Sequence, residues 1–140
     1  ITQIAAGRRA LKLGALHPTR DFNYVEDTVR GFVAVAQADA AVGQVVNVGS
    51  GHEISIRDTA LLIAELMGER IEIVEDEQRT RPALSEVERL LASNELAHRI
   101  AGWAPAIAGE AGLRAGLART IEWFREPANL SRYRPDEYNI

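Results

Sequence analysis

A chain of 140 residues with a formal charge of −4 and no cysteine has room for one domain with a real core, and excludes disulfide staples and thiolate metal sites. Its 46% hydrophobic and 26% charged residues are those of a folded globular chain rather than a disordered one. The acidic balance argues against nucleic acid as a partner, and no apolar run nears the roughly 20 residues that span a bilayer, so no membrane partner and a cytoplasmic location are expected.

The opening residues 1–6 are apolar and carry no cap, like a helix entered partway, and Gly7 breaks it. A short strand follows over Ala10 to Leu13, closed by Gly14, and His17-Pro18-Thr19 reads as a loop. Phe22, Tyr24 and Val25 make a second strand candidate. Asp27 or Glu26 could then accept from the free amides of a helix whose apolar stripe is Val29, Phe32, Val33 and Ala36. That helix fades through Asp39-Ala40-Ala41 before Gly43.

Gln44 to Val48 is a run rich in β-branched residues, which predicts a strand buried on both faces, as in a parallel sheet. Gly49 and Gly51 supply the turn after it. Ser55, with Asp58 three residues on, is a capping-box start for a helix with Leu62, Ile63, Leu66 and Met67 on its apolar stripe and Gly68 at its end. Ile71 to Val74 alternates as a half-exposed strand, followed by a charged loop to Thr80. Ser93 is expected to cap a helix that reaches Ile100 and stops at Gly102. The last helix carries Leu113, Leu117, Ile121 and Phe124 on one face, with Gly112 and Gly116 allowing close approach, and Pro127 forbids its continuation. The polar tail to Ile140 is expected to lie over another surface. Strands alternating with helices make the fold class α/β.

Of the 16 cationic residues, 15 are arginine and only Lys12 is lysine. The planar guanidinium fork grips phosphate with two charge-assisted bonds, so a few arginines could hold a diphosphate despite the acidic total. Arg20 and Arg81 are candidates for such a clamp. Taken alone each is more simply a surface ion-pair partner, with Asp21 and Glu77 at hand. His17, His52 and His98 are too scattered to ligate a metal, and Glu75-Asp76-Glu77 reads as a solvated charge run. No Tyr is followed by Lys four residues on, and no glycine set has the spacing of a dinucleotide-binding loop, since Gly49-Ser50-Gly51 lacks a third glycine. The chain is therefore not expected to hold a dinucleotide cofactor by itself.

Several longer words change the weighting of the arginines. They are Arg20 to Thr28, Val46 to Gly51, Arg81-Pro82 with Ser85 to Leu90, Gly102-Trp103-x-Pro105, Thr120 to Phe124, and the Tyr138-Asn139-Ile140 terminus. In these the chain resembles, essentially end to end, the C-terminal part of extended short-chain dehydrogenases, the NAD-dependent nucleotide-sugar epimerases and dehydratases. The nearest likeness is to UDP- or GDP-N-acetylglucosamine 4,6-dehydratases of legionaminic-acid-type pathways. The resemblance implies a substrate-binding lobe plus the last strands and helices of a Rossmann-type fold, with the N-terminal dinucleotide-binding part absent. It implies one C-terminal substrate-binding region over residues 1–140, whose partners are a nucleotide-diphosphate sugar and either a missing N-terminal half or a second copy. NAD is implied for the complete enzyme only.

Carried over residue by residue, the resemblance makes Arg20 and Arg81 diphosphate-binding arginines and Glu86 an acceptor for ribose hydroxyls, though its spacing from Arg81 is longer than in the commoner Arg-Pro-Gly-Asp pattern. Asn47 is a possible contact near the phosphates, or equally a strand-end residue bonding backbone. Arg9 and Lys12 could line a base pocket. The complete enzyme would oxidise the sugar at C4, eliminate water across C5 and C6 and return hydride to C6. An epimerase or decarboxylase would share the clamp. A standalone, non-catalytic α/β binding or dimerisation module is the reading from another class.

Overall fold

The computed structural model describes residues 1–76 and 87–134. Along the chain run α1 (Thr2–Ala5), β1 (Ala10–Leu13), β2 (Thr19–Asp21), α2 (Val25–Gln37), a 3-10 turn (Asp39–Ala41), β3 (Glu53–Ser55), α3 (Ile56–Met67), β4 (Glu72–Glu75), α4 (Glu95–Ala101), α5 (Gly109–Arg125) and α6 (Pro127–Leu130). The α/β class expected from the sequence is therefore what the chain adopts. The strands form two small sheets, β1 with β4 and β2 with β3. The chain divides into two compact units, one of Ile1–Pro18, Ser55–Glu88 and Leu117–Ile140, the other of Thr19–Ile54 and Arg89–Gly116.

In the first unit β1 and β4 pair in parallel, with Leu11 opposite Ile73. Leu11 points into a core it shares with Ile4 and Ala64, against which Ile63, Met67 and Ile71 pack. Helix α3 starts where local chemistry says it should. Ser55 Oγ accepts from the Asp58 N–H at 3.0 Å and donates to Asp58 Oδ2 at 2.6 Å, which satisfies one of the amides a helix start leaves without a partner. Gly68 closes it with φ of 72°, in the left-handed region where a side chain would clash. The ring of Phe124 packs edge-on against Trp123 and Tyr133, with centroids 5.0 Å away in each case.

The second unit departs from expectation in instructive ways. The strand sits at Thr19–Asp21 rather than over Phe22, Tyr24 and Val25, because Val25 already opens α2 and Phe22 is exposed. No side chain caps α2, whose N-cap is Tyr24. The carboxylate of Asp27 is instead 1% exposed and turned inward, where it accepts from the Ala106 N–H at 3.0 Å, the Ile107 N–H at 2.9 Å and the Arg30 guanidinium. Burial pushes this carboxyl up, but those donors outweigh it and hold it below its ordinary value.

The Gln44–Val48 run is not a strand. Among the described residues no ladder includes it, and Val45 is 87% exposed. β-branched residues favour extended backbone, but only a neighbour across a ladder turns extended backbone into a buried strand. The stripe of α2 likewise faces outward, with Phe32 67% exposed, and a cavity of about 390 Å³ runs between Phe32, Val35 and Ala36 of the helix and Gln44, Val46 and Val48. The buried face of α2 is instead the one with Asp27 and Gly31. Helix α4 begins after Asn94 rather than after a Ser93 cap, and ends at Gly102 with φ of 62°. In α5, Leu113 and Ile121 are buried as the helical spacing predicts, and Gly116 lies against the ring of Tyr24.

Candidate functional site

Strand β2 carries both residues that matter here. Successive strand side chains point to opposite faces, so Arg20 and Asp21 serve different surroundings. Arg20 is half-buried, and its Nη1 donates to the Thr19 carbonyl at 2.8 Å. Asp21 turns toward the 49–51 turn. One of its oxygens takes the Ser50 N–H at 2.7 Å and the Ser50 hydroxyl at 2.5 Å. The other takes the Gly51 N–H at 3.1 Å and the Ala92 N–H at 3.2 Å. A single carboxylate thus gathers three segments far apart in sequence.

Asn94 grips the same turn from the other side. Its Oδ1 accepts from the Gly49 N–H at 2.9 Å and its Nδ2 donates to the Gly49 carbonyl at 2.8 Å. Gly49 has no room for a side chain, since a Cβ there would lie 2.5 Å from the Ala92 Cβ and 2.7 Å from Asp21 Oδ2. Beside this arrangement is a cavity of about 270 Å³ lined by Asp21, Asn47, Val48, Gly49, Leu90, Leu91 and Ala92.

The other end of β2 is fixed by a fork. Arg89 donates from Nε to both oxygens of Glu53, at 2.9 and 2.8 Å, and from Nη2 to Oε1 at 2.6 Å, while the Thr19 hydroxyl donates at 2.7 Å. The Arg89 hydrogen bonds, with help from Thr19, hold the Glu53 carboxyl down from the usual 4.5 to about 2. The pairing also brings Arg89 beside Thr19 as a parallel bridge.

Of the six residues the sequence singled out, Asn47 lines the cavity and is exposed, and Arg20 sits on the adjacent strand but is not among the lining residues. Arg9, ion-paired with Glu69 at 2.6 Å, and Lys12 belong to the other unit. Arg81 and Glu86 lie outside the described residues. Asp21, Ser50 and Asn94 escaped sequence reading, although Asp and Asn beside chain reversals habitually bond backbone groups and could have been flagged on that ground. Among the described residues no set of His, Asp and Glu is grouped to hold a metal ion, and no helix is long and apolar enough to cross a membrane.

The 49–51 turn is the nearest thing in the described residues to a dinucleotide cradle. In such a cradle, backbone amides of a glycine turn point at phosphate. Here the amides of Ser50 and Gly51 already donate to Asp21, so this turn does not fit the phosphates of NAD.

Residues 1–115 match the family model described as GDP-mannose 4,6 dehydratase. The chain belongs to that family. It is similar to the UDP-glucose 4-epimerase of Mycolicibacterium smegmatis, at 34% identity over 87% of this chain and 36% of that protein. In solved structures the family fold recurs. Epimerase Mth375 of Methanothermobacter thermautotrophicus superposes with a TM-score of 0.78 at 32% identity, covering 94% of this chain and 37% of the other. MoeE5, solved in complex with UDP-glucuronic acid and NAD, has a TM-score of 0.68 at 29% identity, covering 83% of this chain and 36% of the other. The chain spans between 27% and 37% of the length of the curated relatives it matches.

Proposed function

We propose that this chain is the nucleotide-sugar-binding portion of an NAD-dependent sugar-nucleotide 4,6-dehydratase, of the kind that acts on UDP- or GDP-N-acetylglucosamine in legionaminic-acid-type pathways, and is not catalytic alone. The observation that carries the reading is the closure of the turn after Asn47 on strand β2, which bears Arg20; Asn47 lines the cavity beside that strand, while Arg20 lies on the strand's other face. Family membership supports it, since a 4,6-dehydratase family model covers most of the chain. In this reading Arg20 and Arg81 bind the diphosphate through their forks, Asn47 adds a polar contact, and Glu86 accepts from the ribose.

The exposed apolar face supports the partner half of the reading. Phe32, Val42 and Val45 are 67%, 83% and 87% exposed, and Phe32 lines an apolar cavity with Val46 and Val48. A sheet from a dinucleotide-binding portion would pair with residues 44–48 and cover this face; a second copy is the competing cover. NAD belongs to that other portion.

A 4-epimerase is the second reading, favoured by the 34% identity to a UDP-glucose 4-epimerase. Titration calorimetry with UDP- and GDP-sugars tests the binding role. Arg20→Ala and Arg81→Ala are each expected to weaken binding at least tenfold, the scale of one lost charge-assisted contact at about 1.5–3 kcal/mol. Unchanged affinity in both removes the clamp. Joined to a dinucleotide-binding portion, a dehydratase would release a 4-keto-6-deoxy sugar nucleotide, and an epimerase its C4 stereoisomer.

A further inference from the structure

We infer that Asp21 and Asn94 are positioning residues for the nucleoside-diphosphate site, holding the turn that carries Asn47 at a set place relative to the strand that carries Arg20. The inference rests on the reading of Arg20 and Asn47 as ligand contacts.

Three observations lead to it. First, residues 44–50 belong to no strand among the described residues, so no sheet ladder fixes them. Second, two side chains supply what the ladder does not. The amide of Asn94 both accepts from and donates to Gly49, the pair of bonds a strand neighbour would offer, and Asp21 takes the next two N–H groups in line. Third, the packing leaves little slack. The absent Cβ of Gly49 is what lets Asp21 and Ala92 close on the turn. A carboxylate that accepts four donors, three of them backbone N–H, is rigidly placed, and its charge strengthens each bond.

The consequence is directional. Asp21 is the immediate chain neighbour of Arg20, so whatever fixes Asp21 also fixes the backbone from which Arg20 reaches out. Asn47 lies two residues before Gly49 and inherits the same anchor. The Asp21 side chain thereby ties the turn to β2 just ahead of the backbone pairing of β2 with β3, and a ligand that needs both residues meets them already placed rather than having to order them.

The test uses this chain with UDP-glucose and GDP-mannose as probes, in wild type, Asp21→Asn, Asn94→Ala, Arg20→Ala and Asp27→Asn. Asp21→Asn turns one acceptor oxygen into a nitrogen facing an N–H, and Asn94→Ala removes both bonds to Gly49. Each is expected to speed hydrogen exchange at the Gly49, Ser50, Gly51 or Ala92 amides it releases, and to raise Kd roughly tenfold, the scale of one charge-assisted hydrogen bond left unmade. Asp27→Asn, which unties another backbone-bonded carboxylate in the same unit, is expected to lower Tm and leave Kd unchanged.

Faster exchange with unchanged Kd in Asp21→Asn and Asn94→Ala overturns the positioning role, even where Arg20→Ala still weakens binding and the site itself stands. A rise in Kd for Asp27→Asn equal to that for Asp21→Asn overturns it too, because the effect is then general loosening. If wild type binds neither probe, the site reading fails and the positioning role with it; if Arg20→Ala binds as wild type does, Arg20 is no ligand contact and the positioning role fails. If Asp21→Asn does not fold, Asn94→Ala decides alone.

Discussion

A Cβ built on Gly31 would lie 2.6 Å from Cγ1 of Val48, so the middle of α2 approaches the 44–48 segment as closely as bare backbone permits. Cε2 of Trp103 would stand 3.2 Å from the same atom. Two effects then oppose each other in Gly31→Ala. Alanine is preferred over glycine in a helix interior by about 1 kcal/mol. Overpacking against a stiff β-branched side chain and a buried indole costs about 1–3 kcal/mol. The clash is expected to win, so Gly31→Ala melts below wild type and adding Val48→Ala recovers part of the loss. A higher Tm for Gly31→Ala would mean that the contact is slack.

Acid should loosen the β2 region before it reaches the cores. The folded Glu53 carboxyl sits at about 2 against an ordinary 4.5. A group depressed on folding binds fewer protons in the folded state, so its stabilisation is full above 4.5 and drains away as pH falls toward 2. Tm measured from pH 6 to pH 2.5 is expected to fall more steeply for wild type than for Glu53→Gln, with the curves converging at the acid end. Parallel curves would show that the Arg89 fork contributes nothing measurable.

Asp27 carries a different load, because it is buried and its partners are mostly backbone. Asp27→Asn places a nitrogen against the N–H of either Ala106 or Ile107 and removes the charge facing Arg30. A buried donor left without its acceptor costs about 1–3 kcal/mol. Denaturant titration is expected to show a lower midpoint by that amount with an unchanged slope. A midpoint equal to wild type would assign the buried carboxylate no net role.

The start of α3 offers the simplest check on local chemistry. Ser55→Ala deletes the Oγ that accepts from Asp58, and the loss expected is about 1 kcal/mol. Ser55→Thr keeps a hydroxyl that can both accept from the Asp58 N–H and donate to the Asp58 carboxylate, and should melt within a degree or two of wild type, whereas a loss of about 1 kcal/mol moves Tm by roughly 2–8 °C in domains of this size. Equal loss in both variants would place the effect in packing instead of capping.

Where an element is closed by its own neighbours, the sequence was a good guide. Strand β1 has the bounds its residues suggested, α3 starts on its capping box, and Gly68 and Gly102 take the left-handed ends. The family likeness was legible too, because words such as Arg20 to Thr28 are local strings. The outward stripe of α2 was not, since periodicity reveals that a face is apolar without saying what covers it.

The sequence by itself determined the alternation of strand and helix and the caps of α3. Helix bonds reach only four residues along the chain, so their signals stay within one short window. The tertiary structure alone decided that residues 44–48 form no ladder, that Asp27 leaves its helix start for amides 79 and 80 residues away, and that Asp21 and Asn94 hold a turn 29 to 45 residues distant. Such bonds are chosen by which segments the packed chain brings together, and an isolated Asp or Asn carries no mark of its distant partner.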